Sequence, residues 1–463
     1  MMLLSITSCD FDTENYQQIP TEDAYQSVQD VQNGMNGAYY ALGSYRFLGN
    51  YATAYGDFCA GISEGNRSSG HFYYQSAWIV QDTDAELEDI WNYGYKIIDR
   101  TTRTIKGGKE ILAKAAELNI DEDGIAELKS YLSQSYAMRA LANYYLVNIF
   151  ALPYQAGTNN LGIPLVIDEP IKEFEKVSRA TVGKTYEQIM DDIDNAETFA
   201  DESEIIPSAF YMGPMAIQAL KARVCMSMGE YGDAKTAALL AIELKGKGDG
   251  KGDDSEPTDE AYVSMWRSLA ITSEDLFTIA KNESDNLSAN ALNTLYGSYG
   301  CTLTTNVINL FGDNDIRTKL LSGKKTLKYQ GIPTSAATSN IPVFRKSEMS
   351  LIVAEVEARN GQLDSAKDYL LYTAKRDKDI TSVDDLPSTK EELLSFIADE
   401  RIREFAAEGH RFYDARRMGL TVSIPGYKPF DIAKFVFPIP ADEINAGFCT
   451  QQNEGWENAL PTK

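Results

Sequence analysis

Two stretches decide the fold. The first is Ala222-Arg223-Val224-Cys225-Met226-Ser227-Met228-Gly229-Glu230-Tyr231-Gly232-Asp233-Ala234-Lys235. The second is Ala354-Glu355-Val356-Glu357-Ala358-Arg359-Asn360-Gly361-Gln362-Leu363-Asp364-Ser365-Ala366-Lys367. In the first, Ala222 and Met226 precede Gly229, and Tyr231, Ala234 and Lys235 follow. In the second, Ala354 and Ala358 precede Gly361, and Leu363, Ala366 and Lys367 follow at the same offsets. Each reads as a helix, a tight glycine turn and a second, antiparallel helix, with small residues where the two helices face each other closely.

This is the pattern of a tetratricopeptide-like hairpin, although the two copies are too far apart to form a clean tandem array. The rest of the chain is also helical in period. Residues 84–106 open on Thr83-Asp84 and carry Ile90, Trp91, Tyr95, Ile98 and Ile105 on one stripe, with Gly107-Gly108 expected to end the helix. Residues 124–150 are apolar on most faces in their second half, which predicts burial, and Pro153 stops them. Residues 181–199 start at a good N-cap, Thr181, and bring Tyr186, Ile189, Met190 and Ile193 to one side. Between these blocks lie irregular stretches: glycine- and aromatic-rich 43–80, charged 245–258 (a solvated loop), and Asn/Ser/Thr/Gly-rich 282–345. The predicted fold is mostly α: a tetratricopeptide-like helix-turn-helix scaffold with an irregular, loop-rich second lobe containing few short strands.

Composition narrows the function. The chain has 463 residues, 43 Lys+Arg against 68 Asp+Glu, and a net charge of −25. A field of that sign repels phosphate backbones, which argues against nucleic acid as a partner. His71 and His410 are the only histidines, so His-rich metal sites are excluded, and no cofactor or metal is expected. Tyrosine outnumbers phenylalanine 27 to 18, a bias toward rings with a polar end. Five cysteines occur without a C-x-x-C pair, and spacing leaves open whether Cys59, Cys225, Cys301 and Cys449 form disulfides. Cys9 follows a short apolar stretch ending in small residues, Met1 to Ser8. That reads as the tail of a bacterial lipoprotein signal, with Cys9 as the lipidated first residue of the mature chain. The stretch is short and has no basic start, so we expect the true start codon upstream. Elsewhere nothing approaches the ~20 apolar residues needed to span a bilayer.

Several motifs fail on inspection. Gly183-Lys184-Thr185 resembles the end of a P-loop, but Ser178 stands where its first glycine belongs. Asp249 to Glu256 lacks the terminal Glu of a calcium loop at the required spacing. No G-x-S-x-G elbow is present. The densest charged segment is Glu400-Arg401-Ile402-Arg403-Glu404-Phe405-Ala406-Ala407-Glu408-Gly409-His410-Arg411-Phe412-Tyr413-Asp414-Ala415-Arg416-Arg417. A catalytic reading makes His410 a base oriented by Glu408 or Asp414. The structural reading, which we favour, is a helix packed by Ile402, Phe405 and Phe412 with its acids and arginines joined in ion pairs.

Taken together, these residues resemble the SusD/RagB family of outer-membrane nutrient-binding lipoproteins. The resemblance runs from Cys9 to Ala41 (Pro20 to Tyr25; Asn36 to Tyr39), through Trp91-Asn92 to Arg100 and Arg139 to Tyr145. Its most specific parts are Glu400–Gly419 and the tail Phe437 to Asn445 with Gln452-Asn453. It implies about four helix pairs, a second irregular lobe and a lipid anchor on Cys9. Its expected layout is a residual signal over 1–9, an N-terminal SusD-like part over 10–280 with the first three repeat pairs, and a C-terminal RagB/SusD part over 281–463 with the irregular insertion and the last pair. It also implies a partner, a TonB-dependent outer-membrane transporter (SusC-like), an oligosaccharide ligand, and an outward-facing position on the outer membrane with no catalysis. A peptide-capturing member of the same architecture and an all-α glycosidase are the alternatives. A glycosidase would need a cleft with two carboxyl groups at ~5–9.5 Å.

Sugars present CH faces that flat rings cover and hydroxyl rims that polar side chains bind. Two loop clusters have that mixture. The first holds Asp57, Asn66, Arg67, Tyr73, Tyr74 and Trp78. The second holds Asn293, Tyr296 and Tyr299, with Trp266 before it. These residues are the candidate ligand site, with packing of the loops themselves as the alternative role for their rings.

Overall fold

The computed structural model describes residues 24–172, 175–248, 256–424, 426–449 and 451–462; Cys9 lies outside them. In chain order the helices are α1 (Val28–Leu42), α2 (Tyr51–Phe58), α3 (Tyr73–Ser76), α4 (Ala85–Ala113), α5 (Glu122–Phe150), α6 (Val182–Ser203), α7 (Pro214–Met228), α8 (Tyr231–Gly248) and α9 (Asp259–Ser264). They continue with α10 (Leu292–Tyr296), α11 (Thr305–Ile308), α12 (Lys346–Arg359), α13 (Leu363–Ala374), α14 (Lys390–Phe405), α15 (Arg411–Met418) and α16 (Ala441–Ala446). Packing gives four main pairs, α1 with α4, α5 with α6, α7 with α8 and α12 with α13, and further contacts between α4 and α5 and between α8 and α12 join them into one stack. Both glycine turns form as the sequence predicts: Gly229 and Gly361 take φ of 84° and 78°, a left-handed backbone that glycine adopts without a Cβ clash. Ala222, Ala234, Ala354, Ala358 and Ala366 are fully buried at the seams.

The helix starts have local causes. Asp84 accepts from the amides of Glu86 and Leu87, Asp121 from Gly124, and Thr181 from Lys184. One expected stop is absent. α4 runs through Gly107-Gly108 to Ala113, because both glycines are packing sites: a Cβ on Gly107 would strike the Tyr25 ring, and one on Gly108 would lie 2.8 Å from Leu132. Packing there outweighs a propensity cost of about 1 kcal/mol per glycine. The 43–80 stretch is also less irregular than its composition suggests, since it contains α2 and α3. α8 continues to Gly248, into the charged segment expected to be a loop.

The strands are short and form five antiparallel pairs: β1 (Ser63–Glu64) with β5 (Thr302–Leu303), β2 (Leu161–Pro164) with β3 (Arg179–Thr181), β4 (Asp275–Ile279) with β8 (Ile341–Arg345), β6 (Leu321–Ser322) with β7 (Lys325–Thr326), and β9 (Thr421–Val422) with β10 (Phe430–Asp431). The loop lobe is not a separate core. Its residues Phe58, Phe72, Trp78 and Tyr296 belong to the same buried cluster as Trp91, Leu141, Ile189 and Leu220 of the helices. Among the described residues no helix is long and apolar enough to cross a membrane. Cys59, Cys225, Cys301 and Cys449 are free and buried.

The Glu400–Arg417 segment is two helices, α14 and α15, broken at Ala407 (φ 69°) and Gly409 (φ 83°). Its charges do form ion pairs, but mainly with distant elements. Glu404 binds Arg345 at 2.8 Å, Arg317 at 3.3 Å and Arg376; Glu408 binds Lys328 at 2.6 Å and Arg345 at 2.8 Å; Glu400 binds Arg317 at 2.8 Å. Glu274, immediately before β4, binds Arg345 and Arg376 at 2.9 and 3.2 Å. Burial alone would raise the Glu404 carboxyl, but Arg376, Arg345 and Arg317 override it and hold the group well below its ordinary range. Such a depressed carboxyl contributes stability above its unfolded pKa of about 4, and that stability is lost as pH falls toward the folded value. We expect Glu404→Ala, which leaves three buried guanidinium groups short of a counter-charge, to cost about 3–5 kcal/mol in denaturant unfolding; a loss under about 1 kcal/mol would show that the network is not integral to the fold.

Candidate functional site

The two loop clusters, far apart in sequence, meet in space. β1 pairs with β5 in the register Ser63 to Leu303 and Glu64 to Thr302. Around that ladder the Asn66 amide donates to the Tyr299 carbonyl at 2.7 Å, and the Ser69 hydroxyl donates to the same oxygen at 2.9 Å. The imidazole of His71 stacks on Tyr299 with centroids 3.7 Å apart. The Asn66 side-chain oxygen accepts from the Ser68 amide at 2.9 Å, and its backbone exchanges bonds with Gly70 and His71, so the 66–71 turn is fixed. Beyond it, Phe72 and Trp78 both have positive φ, 49° and 53°, and bracket the short helix α3 that carries Tyr73 and Tyr74. A left-handed backbone at a bulky residue is costly and persists only where surrounding structure enforces it.

The result is a ledge. Tyr74 is 56% exposed and meets the half-buried Tyr73 edge-on at 5.5 Å. Arg67 is exposed, with its guanidinium 5.8 Å from the Tyr73 ring centroid. Tyr299 and Asn293 are half-buried on the facing loop. Asn66 belongs to the ledge as a brace, since both ends of its amide are engaged within the loops.

Four of the expected ligand residues are placed elsewhere. Asp57 is buried on α2, 1% exposed. Tyr296 is buried, its hydroxyl bonded to Ser63 at 2.9 Å and its ring stacked on Phe58. Trp78 is enclosed by Phe430, Phe435 and Phe437. Trp266 lies under the ion network, with Lys328 4.8 Å and Arg345 5.6 Å from its ring. The physical reason is common to the three rings: an aromatic residue in a loop is drawn inward when the loop's own backbone needs a core to rest on, and these side chains belong to the main core, whereas Asp57 is buried by its place on α2.

The ledge continues into residues that no local pattern marks. Tyr51 packs on Phe72 at 6.0 Å and Tyr45 on Tyr51 at 5.4 Å. Arg46 lies between the rings of Tyr45 and Tyr93, 4.8 and 5.3 Å away, and donates to Asp89 and to the Tyr93 hydroxyl. The only signal was the tyrosine bias of the stretch after α1, because Asp89 and Tyr93 come from α4.

His410 stacks on Phe405 at 4.2 Å. Burial, with Arg223 and Arg401 nearby, pushes its pKa well below the ordinary range, so the ring is neutral. The cavity beside it, about 30 Å³ between Arg223, Glu348 and Tyr413, admits water but no larger ligand. Among the described residues no group of three or more His, Cys, Asp or Glu could hold a metal ion.

These features define a class: a scaffold of paired helices whose inserted loops converge on one aromatic, polar ledge. Comparison with known proteins gives the class its family. A family described as "Starch-binding associating with outer membrane" matches residues 11–225, and the "SusD family" matches residues 314–427. A Bacteroides vulgatus protein named as a candidate sugar-binding protein is 26% identical, with a TM-score of 0.81 over 94% of this chain and 99% of that one. A SusD superfamily protein from Bacteroides thetaiotaomicron is 25% identical, with a TM-score of 0.77 over 92% of this chain and 100% of that one. The SusD-like protein P2 of Formosa agariphila is 22% identical over 255 residues, 54% of this chain and 46% of that protein, so the match spans less than half of this curated relative. The chain belongs to the SusD-like family.

Asp57 provides a pH test of the packing beneath the ledge. Burial raises its carboxyl to about 8, against a smaller lowering by neighbours that include Lys328. A group raised in this way is protonated when folded and ionised when unfolded, so its contribution to stability declines from about pH 4 and is fully lost once pH passes about 8. Asp57→Asn should therefore gain thermal stability relative to the parent progressively between those limits and hold a constant offset above them. An offset independent of pH would show that the Asp57 carboxyl is not raised.

Proposed function

We propose that this protein is a non-catalytic outer-membrane lipoprotein that captures oligosaccharides on the ledge and hands them to a TonB-dependent, SusC-like transporter. The observation that carries the reading is the convergence of the 63–79 and 290–303 loops. The His71–Tyr299 stack joins them, Tyr73 and Tyr74 with Arg67 over Tyr73 follow on the first, and Asn293 lies on the second. Rings of this kind cover the CH faces of sugars, and the polar groups beside them bind hydroxyls. The relatives support the same reading: one matching family is described by starch binding and by association with the outer membrane, and one structural relative is named for sugar. The anchor is Cys9, lipidated after removal of the preceding signal, and the acidic lead-in behind it, Asp10, Asp12 and Glu14, tethers the body to an outward-facing position.

Binding on an open ledge is wet and modest in strength, because few groups are fully desolvated. Tyr74→Ala and Tyr299→Ala should each weaken oligosaccharide binding about three- to tenfold in calorimetry. Tyr74 is mostly exposed, so its variant should melt at the parent temperature. Undiminished affinity in both variants would move the site away from this ledge.

A further inference from the structure

The ledge carries exposed cations, although the protein as a whole is strongly acidic. The chain has a net charge of −25; some of its surface lysines lean on an acid, as in Lys106 with Glu169, Lys184 with Glu187 and Lys378 with Asp259, and others do not, as in Lys96 over Tyr93 and Lys390 on the Arg359 carbonyl. Two cations at the ledge are of the second kind. Among the described residues, Arg67 and Lys325 have no carboxylate within ion-pair distance, although both are exposed. Lys325 donates to the Gly297 carbonyl at 3.0 Å, two residues from Tyr299. Its neighbour Lys324 is neutralised by Glu64 at 2.9 Å, and burial lowers the pKa of His71, so neither adds net charge at neutral pH. Asp57, the acid in the same segment, is buried beneath the surface.

The placement of Arg67 is also fixed. It follows Asn66, whose amide is tied to the opposite loop, and it lies within the 66–71 turn closed by the Gly70 amide on the Asn66 carbonyl at 2.9 Å. Its guanidinium lies over Tyr73, which holds the long side chain on the ring side of the ledge while leaving its outer N–H groups free. A planar cation held beside exposed rings matches a ligand that offers an apolar face and an adjacent planar or tetrahedral anion.

We propose that the ligand of this ledge is an anionic saccharide, with a carboxylate or sulfate group seated on Arg67 and the sugar ring on Tyr74 or Tyr299. This rests on the oligosaccharide-capture reading and narrows it to a substrate class. Carboxylate and sulfate share the recognition chemistry, and the test separates them.

The purified protein would be titrated in a calorimeter with three probes: oligogalacturonides, the same oligosaccharides after reduction of their carboxyl groups, and sulfated galactan oligosaccharides. The expected result is that one charged probe binds at least about tenfold tighter than the carboxyl-reduced one, with an advantage that shrinks as salt is raised. Arg67→Gln should abolish that advantage, Arg67→Lys should retain part of it, and both should melt at the parent temperature because the side chain is exposed. Preference for carboxylate or for sulfate identifies the source. If the reduced probe binds as tightly as the charged ones, or if Arg67→Gln weakens all probes equally, the anionic assignment falls and oligosaccharide capture stands. If none of the probes binds, the anionic assignment falls; a wider set of neutral glycans, with Tyr74→Ala as control, then decides whether the capture reading falls with it.

Discussion

The structure depends on a set of charges that have left water together. Glu274, Asp315, Glu400, Glu404 and Glu408 face Arg317, Lys328, Arg345 and Arg376 in the interior, with Arg403 completing the balance at Glu400. Each ion alone would carry a desolvation cost of several kcal/mol, so the set is tolerable only when nearly complete. That requirement constrains the topology. Glu400 and Glu404 are one helical turn apart on α14 and present one face. Arg317 and Lys328 come from the irregular lobe, Arg345 from the end of β8 and Arg376 from the end of the last repeat pair. Loops of this composition have little apolar area with which to find a unique position, and directional ion pairs supply the register that hydrophobic burial alone would leave loose.

From this network the constraint passes to the ledge through backbone contact. Lys328 holds Glu408, and the next residue, Gly409, lies against α2: a Cβ on Gly56 would strike the Gly409 carbonyl, and one on Gly409 would strike that of Thr53. Gly409 also has a φ of 83°, so two independent reasons require glycine there. α2 carries Phe58, which stacks on Phe72 at 4.6 Å and on Tyr296 at 5.9 Å. Phe72 directly precedes Tyr73 and Tyr74 in the chain, and Tyr296 lies three residues before Tyr299, so the buried rings fix the backbone that carries the outer ones. The outer rings therefore sit on a backbone anchored in the core, and a ligand meeting them would order little that is not already ordered.

Much of the scaffold was legible in the sequence because its signals are local. Glycine turns at Gly229 and Gly361, capping residues at Asp121 and Thr181, and the apolar second half of α5 each depend on near neighbours. The failures have the opposite character. Gly107-Gly108 looks like a helix stop until Tyr25, more than eighty residues earlier, is found packed on it. Glu404 has arginines close by in sequence but binds Arg317, Arg345 and Arg376 instead. In the loops the right residue types were visible, yet sequence gives no means of telling Tyr74 from Tyr296 or Arg67 from Asp57, because which of them faces water is settled by β1–β5 pairing and by the positive φ at Phe72 and Trp78. The Tyr45–Arg46–Tyr93 extension, built across two elements, could not be read from either one.

The contrast between interior and ledge bears on what the ledge is for. Inside, this chain pairs most of its buried charges, with Arg179 and Arg416 held by backbone carbonyls instead, and the half-buried Arg46 and Lys324 have acids beside them. Arg67 and Lys325 stand without acids in a protein that has an excess of them. An unpaired cation on a fixed turn does little for stability, since surface pairs contribute at most about 1 kcal/mol and a lone charge less. Its effect would be felt by what arrives from solution: in a protein of strong negative charge, a cation beside aromatic rings offers an approaching anion a local point of attraction. The Tyr73 ring that helps hold the guanidinium in place is one of the rings proposed to meet a sugar's flat face, so in that proposal aromatic and charged recognition are one arrangement.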